Sequence, residues 1–215
     1  MAAEVPTSQF LVVPNGVDCA HFDALGTRAD PPQDTLLFTG SLAYYPNVDG
    51  LHFFMREVFP QICAAVPTVR FLIAGREPPP AITAYAAHPN VEVVADVPDM
   101  RDYYAKATVV VVPLRVGGGT RLKILEAMAM AKPVVSTAVG AEGIDVTPGI
   151  DIALADDPVE FAGAVVSLLG GQGRSELAAA GRRLVEQSYD WESIGATLES
   201  VYERVLQAPG SLQQS

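Results

Sequence analysis

Six short runs dominated by β-branched and other apolar residues punctuate this chain, and longer segments of helical period fill the intervals between them. The runs are Leu36 to Phe38, Val69 to Ala74, Val91 to Ala95, Thr108 to Val112, Pro133 to Ser136 and Asp151 to Leu154. They are apolar nearly throughout rather than alternating, as strands are when both sheet faces are buried. Strand and helix in alternation predict an α/β fold: a Rossmann-like, doubly wound parallel sheet of about six strands covered by helices.

The intervening helices carry their own signals. Asn47 is the expected cap of a helix whose apolar positions Val48, Leu51, Phe54, Val58 and Ile62 recur at spacings of three and four, ending before Pro67. Thr120 to Ala131 reads as a compact helix entered through Gly117, Gly118 and Gly119 and ended by Pro133. Asp156 and Asp157 suit the cap of a helix over Pro158 to Leu169, and Ser175 to Tyr189 forms another. A last helix repeats Trp191, Ile194, Leu198, Val201 and Val205 on one face. The chain thus divides into an N-terminal segment (1–34), a core domain (35–189), a terminal helix (190–208) and a tail expected to fray (209–215).

Composition narrows the function. A chain of 215 residues that is 49% hydrophobic can bury one full core. A formal net charge of -11 argues against nucleic acid as partner, because phosphate backbones are bound by clustered Lys and Arg. Cys19 and Cys63 have no metal-ligand spacing and read as free thiols of a reducing compartment. No run has the roughly 18 apolar residues of a membrane span, and the first residues lack a basic region followed by an apolar stretch. The expected location is cytoplasmic, with membrane contact open for a longer enzyme.

In an open parallel sheet, ligands bind beyond the carboxyl ends of the strands. Four strand-end loops stand out there: Gly40-Ser41, Gly75-Arg76, Pro113 to Gly119, and Thr137 to Gly143, which contains Glu142. The strongest constellation is Gly117-Gly118-Gly119-Thr120-Arg121-Leu122-Lys123, leading into a helix that carries Glu126. Glycines that bare the amides of a helix N-terminus, with two cations beside them, form a site for a diphosphate. The spacing is neither that of a P-loop nor that of Gly-x-Gly-x-x-Gly. A purely structural loop, with Lys123 and Glu126 paired across one helical turn, accounts for the same residues.

Taken in order, Val13-Pro14-Asn15-Gly16-Val17-Asp18, Phe38-Thr39-Gly40-Ser41-Leu42, Phe71-Leu72-Ile73-Ala74-Gly75, Pro113-Leu114-Arg115, Lys123 to Ala129, and Pro133 to Thr137 resemble a known pattern. They look like the carboxyl-terminal domain of group 1 retaining glycosyltransferases of the GT-B type. The resemblance covers nearly the whole chain. It implies the donor half of a two-domain enzyme whose acceptor domain precedes the Pro-Asn-Gly-Val-Asp segment.

The resemblance also implies site residues. Glu126 matches the family glutamate that holds the ribose hydroxyls, while the partner glutamate of the family pair falls on Gly118 and is absent. Gly118, Gly119 and Thr120 would then meet the sugar through backbone amides. Gly40 and Ser41 stand where the family places a glycine followed by an arginine, and Asn47 stands farther along where it places a lysine, so Arg121 and Lys123 are expected to take over the diphosphate and carry catalysis. Asp96 and Val97 fall in the base-binding loop, and Arg76 is a weaker candidate. No Asp-x-Asp occupies a metal-holding position, so metal-free chemistry without a cofactor is expected; His21, His52 and His88 are read as structural or surface residues. The implied reaction transfers a sugar from a nucleoside diphosphate sugar to an acceptor hydroxyl with retention, and the chain by itself is expected to be inactive. Two alternatives stay open, half of a GT-B nucleotide-sugar epimerase and a non-catalytic nucleotide-binding module. The terminal helix around Trp191 is a candidate surface for self-association.

Overall fold

A computed structural model describes residues 12–23, 34–119 and 121–207. Thr120 and the tail 209–215 lie outside the described residues. The sheet has six strands: β1 (Thr35–Ser41), β2 (Arg70–Arg76), β3 (Val91–Ala95), β4 (Val109–Val112), β5 (Val134–Ser136) and β6 (Ala153–Leu154). Their spatial order is β3-β2-β1-β4-β5-β6, and every pairing is parallel. The direction of winding reverses between β1 and β4, which opens a crevice at their carboxyl ends. The predicted fold class is therefore found. β1 runs further than the sequence run suggests, because Thr39, Gly40 and Ser41 continue the register against Ala74, Gly75 and Arg76.

Leu36, Leu37, Phe38, Phe71, Ile73, Val109 to Val112, Val134 and Val135 have no accessible surface, so the central strands are covered on both faces. The largest aromatic cluster joins Phe54, Phe59, Phe71 and Phe161, with the Phe54 and Phe71 ring centroids 4.8 Å apart. Burying such a cluster is the dominant stabilising term of a core like this one.

The first crossover helix departs from expectation. It begins at α2 (Tyr45–Phe53), with Tyr44 extended before it and Pro46 in its first turn, so Asn47 lies inside the helix instead of capping it. Proline suits that first turn because its missing N–H would have no partner there. A π turn over Phe54–Val58 leads into α3 (Phe59–Ala65). Pro60 has no N–H to donate back into the preceding turn, and the helix widens there to reset its register.

The helices α4 (Pro80–Thr83), α5 (Arg101–Lys106), α6 (Leu122–Ala129) and α7 (Ala138–Ala141) follow in turn. α6 ends sooner than Pro133 alone would require. Ala131 takes φ +50°, and the Lys132 N–H returns to the Ala127 carbonyl at 2.9 Å, closing the helix. α8 (Pro158–Leu169) has the predicted bounds and is capped by Asp157, which accepts from the Val159 and Glu160 amides. Asp156 instead accepts from the Ala138 amide at 2.8 Å. α9 (Arg174–Ser188) and α10 (Trp191–Gln207) complete the chain of elements.

The segment before the sheet is stitched to the start of α10. Val17 donates to the Tyr189 carbonyl at 2.8 Å and accepts from the Trp191 amide at 3.2 Å. A Cβ on Gly16 would stand 2.7 Å from the Tyr189 carbonyl oxygen, so only glycine lets the two backbones approach. A short helix, α1 (Cys19–Asp23), then lays Phe22 edge-on against Tyr104 of α5, with ring centroids 6.3 Å apart. Trp191, Tyr202 and Leu206 are exposed along α10. Among the described residues, no helix is long and apolar enough to cross a membrane.

Candidate functional site

A cleft of about 500 Å³ opens at the carboxyl ends of β1, β2 and β4, beside the point between β1 and β4 where the sheet reverses its winding. Of the residues predicted for the site, Gly40, Ser41, Val97, Gly118, Arg121, Lys123 and Glu126 line it, as does Arg76. Asp96 and Gly119 are not among its lining residues. Asp96 is exposed, takes φ +51° and donates its amide to the Gly75 carbonyl at 2.9 Å. Glu142 is exposed in another loop. Thr39, Tyr44, Asn47 and Met100 also belong to the wall, and the sequence alone does not single out Thr39, Tyr44 or Met100 as site residues.

Lys123 lines the cleft together with Arg76 and Arg121. Its ammonium donates to Asn47 Oδ1 at 2.8 Å and lies 4.2 Å from the centroid of the Phe38 ring. Asn47 in turn donates through Nδ2 to the Ser41 carbonyl at 2.7 Å. The displaced helix start makes this possible, since an Asn47 spent on capping could not reach across the cleft. Burial and then the neighbouring Arg121 cation push the Lys123 ammonium down to about 7 from its ordinary 10.5, with Glu126 opposing them. Gly40 is what admits the pair: at φ +143°, a Cβ there would stand 2.9 Å from Asn47 Nδ2 and 3.0 Å from Lys123 Nζ.

Lys123 and Glu126 do not pair across the helical turn. The Glu126 carboxylate instead accepts from the Tyr104 hydroxyl at 2.8 Å. Burial raises the Glu126 carboxyl above its ordinary value, against the Tyr104 hydrogen bond and the Lys123 charge. Nothing in the spacing of Tyr104, which lies on a short polar-looking helix, marks it in the sequence.

Arg121 is buried at 5% exposure, and its fork is taken up by carbonyls. It donates to Gly118 and Gly117 at 3.0 Å each and to Val139 at 3.2 Å. Its Nε is the buried polar side-chain atom without a partner among the described residues. The guanidinium therefore forms a wall of the cleft and holds the glycine loop, rather than extending freely into it. Arg121 also occupies the N-cap of α6, and no side chain among the described residues caps that first turn. Uncapped amides, glycines and cations at one helix start can accept an anion, with the helix dipole adding to the attraction.

The sequence profile of "Glycosyl transferases group 1" matches residues 33–170, more than half of the chain. The chain is 26% identical over 172 residues to an uncharacterized 44.6 kDa protein in the cps region of Klebsiella pneumoniae, covering 76% of this chain and 44% of that one. It is 25% identical over 212 residues to a phosphatidylinositol N-acetylglucosaminyltransferase component from Arabidopsis thaliana, covering 93% and 45%. The chain thus spans less than half the length of these relatives. Among solved structures, Anabaena HepE in complex with UDP superimposes with a TM-score of 0.72 at 16% identity, covering 93% of this chain and 58% of that one. The profile match, with the doubly wound sheet and its switch-point cleft, establishes that the chain belongs to the group 1 glycosyl transferases.

Proposed function

We propose that this chain is the donor-binding part of a retaining glycosyltransferase that moves a sugar from a nucleoside diphosphate sugar to an acceptor hydroxyl. One observation carries the reading: α6 delivers both Lys123 and Glu126 to the switch-point cleft, each already held by a partner from another element. Complexes of the similarly folded Anabaena protein with UDP support it. In this reading the diphosphate lies over the amides of Gly118 and Gly119 and the first turn of α6. Lys123 turns from Asn47 to meet it, and Arg121 supplies its field from behind the loop. Departure of the diphosphate leaves negative charge where these groups already point, which is how a preorganised site lowers a barrier. Glu126 accepts from the ribose diol with its outer carboxylate oxygen, and the base rests near Val97. No metal ion or cofactor is assigned a role.

The acceptor domain is the proposed partner of the cleft. Titration of this chain with UDP, GDP and ADP in the presence of EDTA tests the reading. Saturable binding of one nucleotide, weakened in Arg121→Ala and Glu126→Ala, is the expected result. Unchanged affinity in both variants would refute the site. The chain alone should transfer little or no sugar, and a normal transfer rate would refute that part of the proposal.

A further inference from the structure

We propose that Tyr104 is a positioning residue of the donor site: its hydroxyl fixes one oxygen of Glu126, so that the other is presented to the ribose diol of a nucleoside diphosphate. The inference rests on the reading that this cleft binds a nucleotide through Glu126. Tyr104 has no accessible surface, and three groups from β1 and α6 meet at its hydroxyl. Thr39 Oγ1 of β1 lies at 3.0 Å, the Lys123 carbonyl at 3.2 Å and Glu126 Oε2 at 2.8 Å. A phenol has one proton to give. The carboxylate is the closest and strongest acceptor, so the proton goes there and the Thr39 hydroxyl donates to the phenol oxygen. Burial and the Glu126 charge keep the phenol protonated, well above its ordinary range, so it stays a donor.

The consequence lies in the geometry of the free oxygen. A glutamate on a helix has three rotatable bonds, and a ligand that needs one orientation must freeze the others out. The Thr39–Tyr104–Glu126 chain freezes them before the ligand arrives. Oε1 makes no hydrogen bond among the described residues, while Glu126 lines the cleft. Two neighbouring hydroxyls can be held by that carboxylate only if it does not turn inward.

The test compares UDP, GDP and ADP with their 2′,3′-dideoxy counterparts, by titration calorimetry on the full chain and on Tyr104→Phe. Thr39→Val/Tyr104→Phe is a second variant that removes both buried hydroxyls together, and thermal melts confirm that each is folded. The unsubstituted chain should prefer the ribonucleotide it binds. Both variants should weaken that ribonucleotide about tenfold, leave its dideoxy counterpart unchanged, and so erase the preference. Equal weakening of both ligands, or a preference kept in the folded variants, overturns the role of Tyr104 alone. A chain that binds no nucleotide, or binds one without regard to the diol, overturns the reading of Glu126 and the proposal together.

Discussion

The Lys123 ammonium meets Asn47 Oδ1 at 2.8 Å across the mouth of the cleft, and no carboxylate among the described residues pairs with it there. A neutral amide satisfies the hydrogen bond without neutralising the charge, so the cation remains available to an incoming anion.

That arrangement makes nucleotide binding depend on pH. Lys123 is lowered to about 7, so above that value the empty cleft has lost a proton that a bound diphosphate restores. The liganded state then holds more protons than the free state from pH 7 up towards 10.5, and affinity must fall as pH rises through that window. For the nucleoside diphosphate that the chain binds, the expected fall approaches about tenfold per pH unit. For folding the same linkage runs the other way: the unfolded chain keeps the Lys123 proton through this window, so this residue's contribution to stability rises with pH. Titrations at about pH 6.5, 8 and 9.5, on either side of that lowered value and well above it, check the binding slope. A slope that persists in Lys123→Met would assign the effect elsewhere.

Two glycines of the cleft should respond differently to alanine. At Gly40 the added Cβ meets Asn47 and Lys123 at 2.9 and 3.0 Å, on a backbone with φ +143°. At Gly118 it meets nothing within 4 Å. Gly40→Ala should therefore lower stability by about 1–3 kcal/mol and weaken the nucleotide that the chain binds at least about tenfold, whereas Gly118→Ala should leave stability within about 0.5 kcal/mol. Urea denaturation of the two proteins side by side settles it, and equal losses would contradict the geometry.

Gly75 tests the sheet beneath the site. It pairs with Gly40 in the β1–β2 register, and a Cβ on it would collide with the Gly40 carbonyl oxygen. The contact is with backbone, which cannot swing aside. Gly75→Ala should force the strand ends apart, costing about 1–3 kcal/mol in chemical denaturation and loosening the floor of the cleft. Native stability in this variant would mean the strands have room that their register denies.

The sheet is legible because its strands are buried on both faces and flanked by breakers; all six sequence runs form strands, with ends adjusted by a few residues. Glu126 and Lys123 can be named because a glycine-rich strand-end loop entering a helix is a local pattern. Tyr104 cannot, and Asn47 is marked only as a departure at a clamp position, because the contacts that set their roles lie 22 and 76 residues away in the chain. Asn47 reads as a cap for a sound local reason, its preference for helix starts. The chain finds a better start a few residues earlier, at Tyr44-Tyr45-Pro46, and releases the side chain to the cleft. Arg121 shows the limit from the other side. Its place beside the glycines is readable, but the direction of its fork depends on the carbonyls the folded loop presents.

That direction yields the last prediction. Arg121 spans three carbonyls, at Gly117 and Gly118 of the glycine loop and at Val139 of α7, with two terminal nitrogens. A lysine carries the same charge but gathers its donors at one point, so it cannot reproduce a planar fork. If Arg121 acts by holding the glycine loop in place, Arg121→Lys should lose about 1–3 kcal/mol of stability and should weaken the bound nucleotide nearly as much as Arg121→Ala does. If it acts only through its charge, Arg121→Lys should keep most of the affinity that Arg121→Ala loses. The expected outcome is the first, because a guanidinium committed to carbonyls at 5% exposure has little freedom left to follow a ligand. Titration of both variants, beside their urea denaturation curves, distinguishes a cation that builds the site from one that merely charges it.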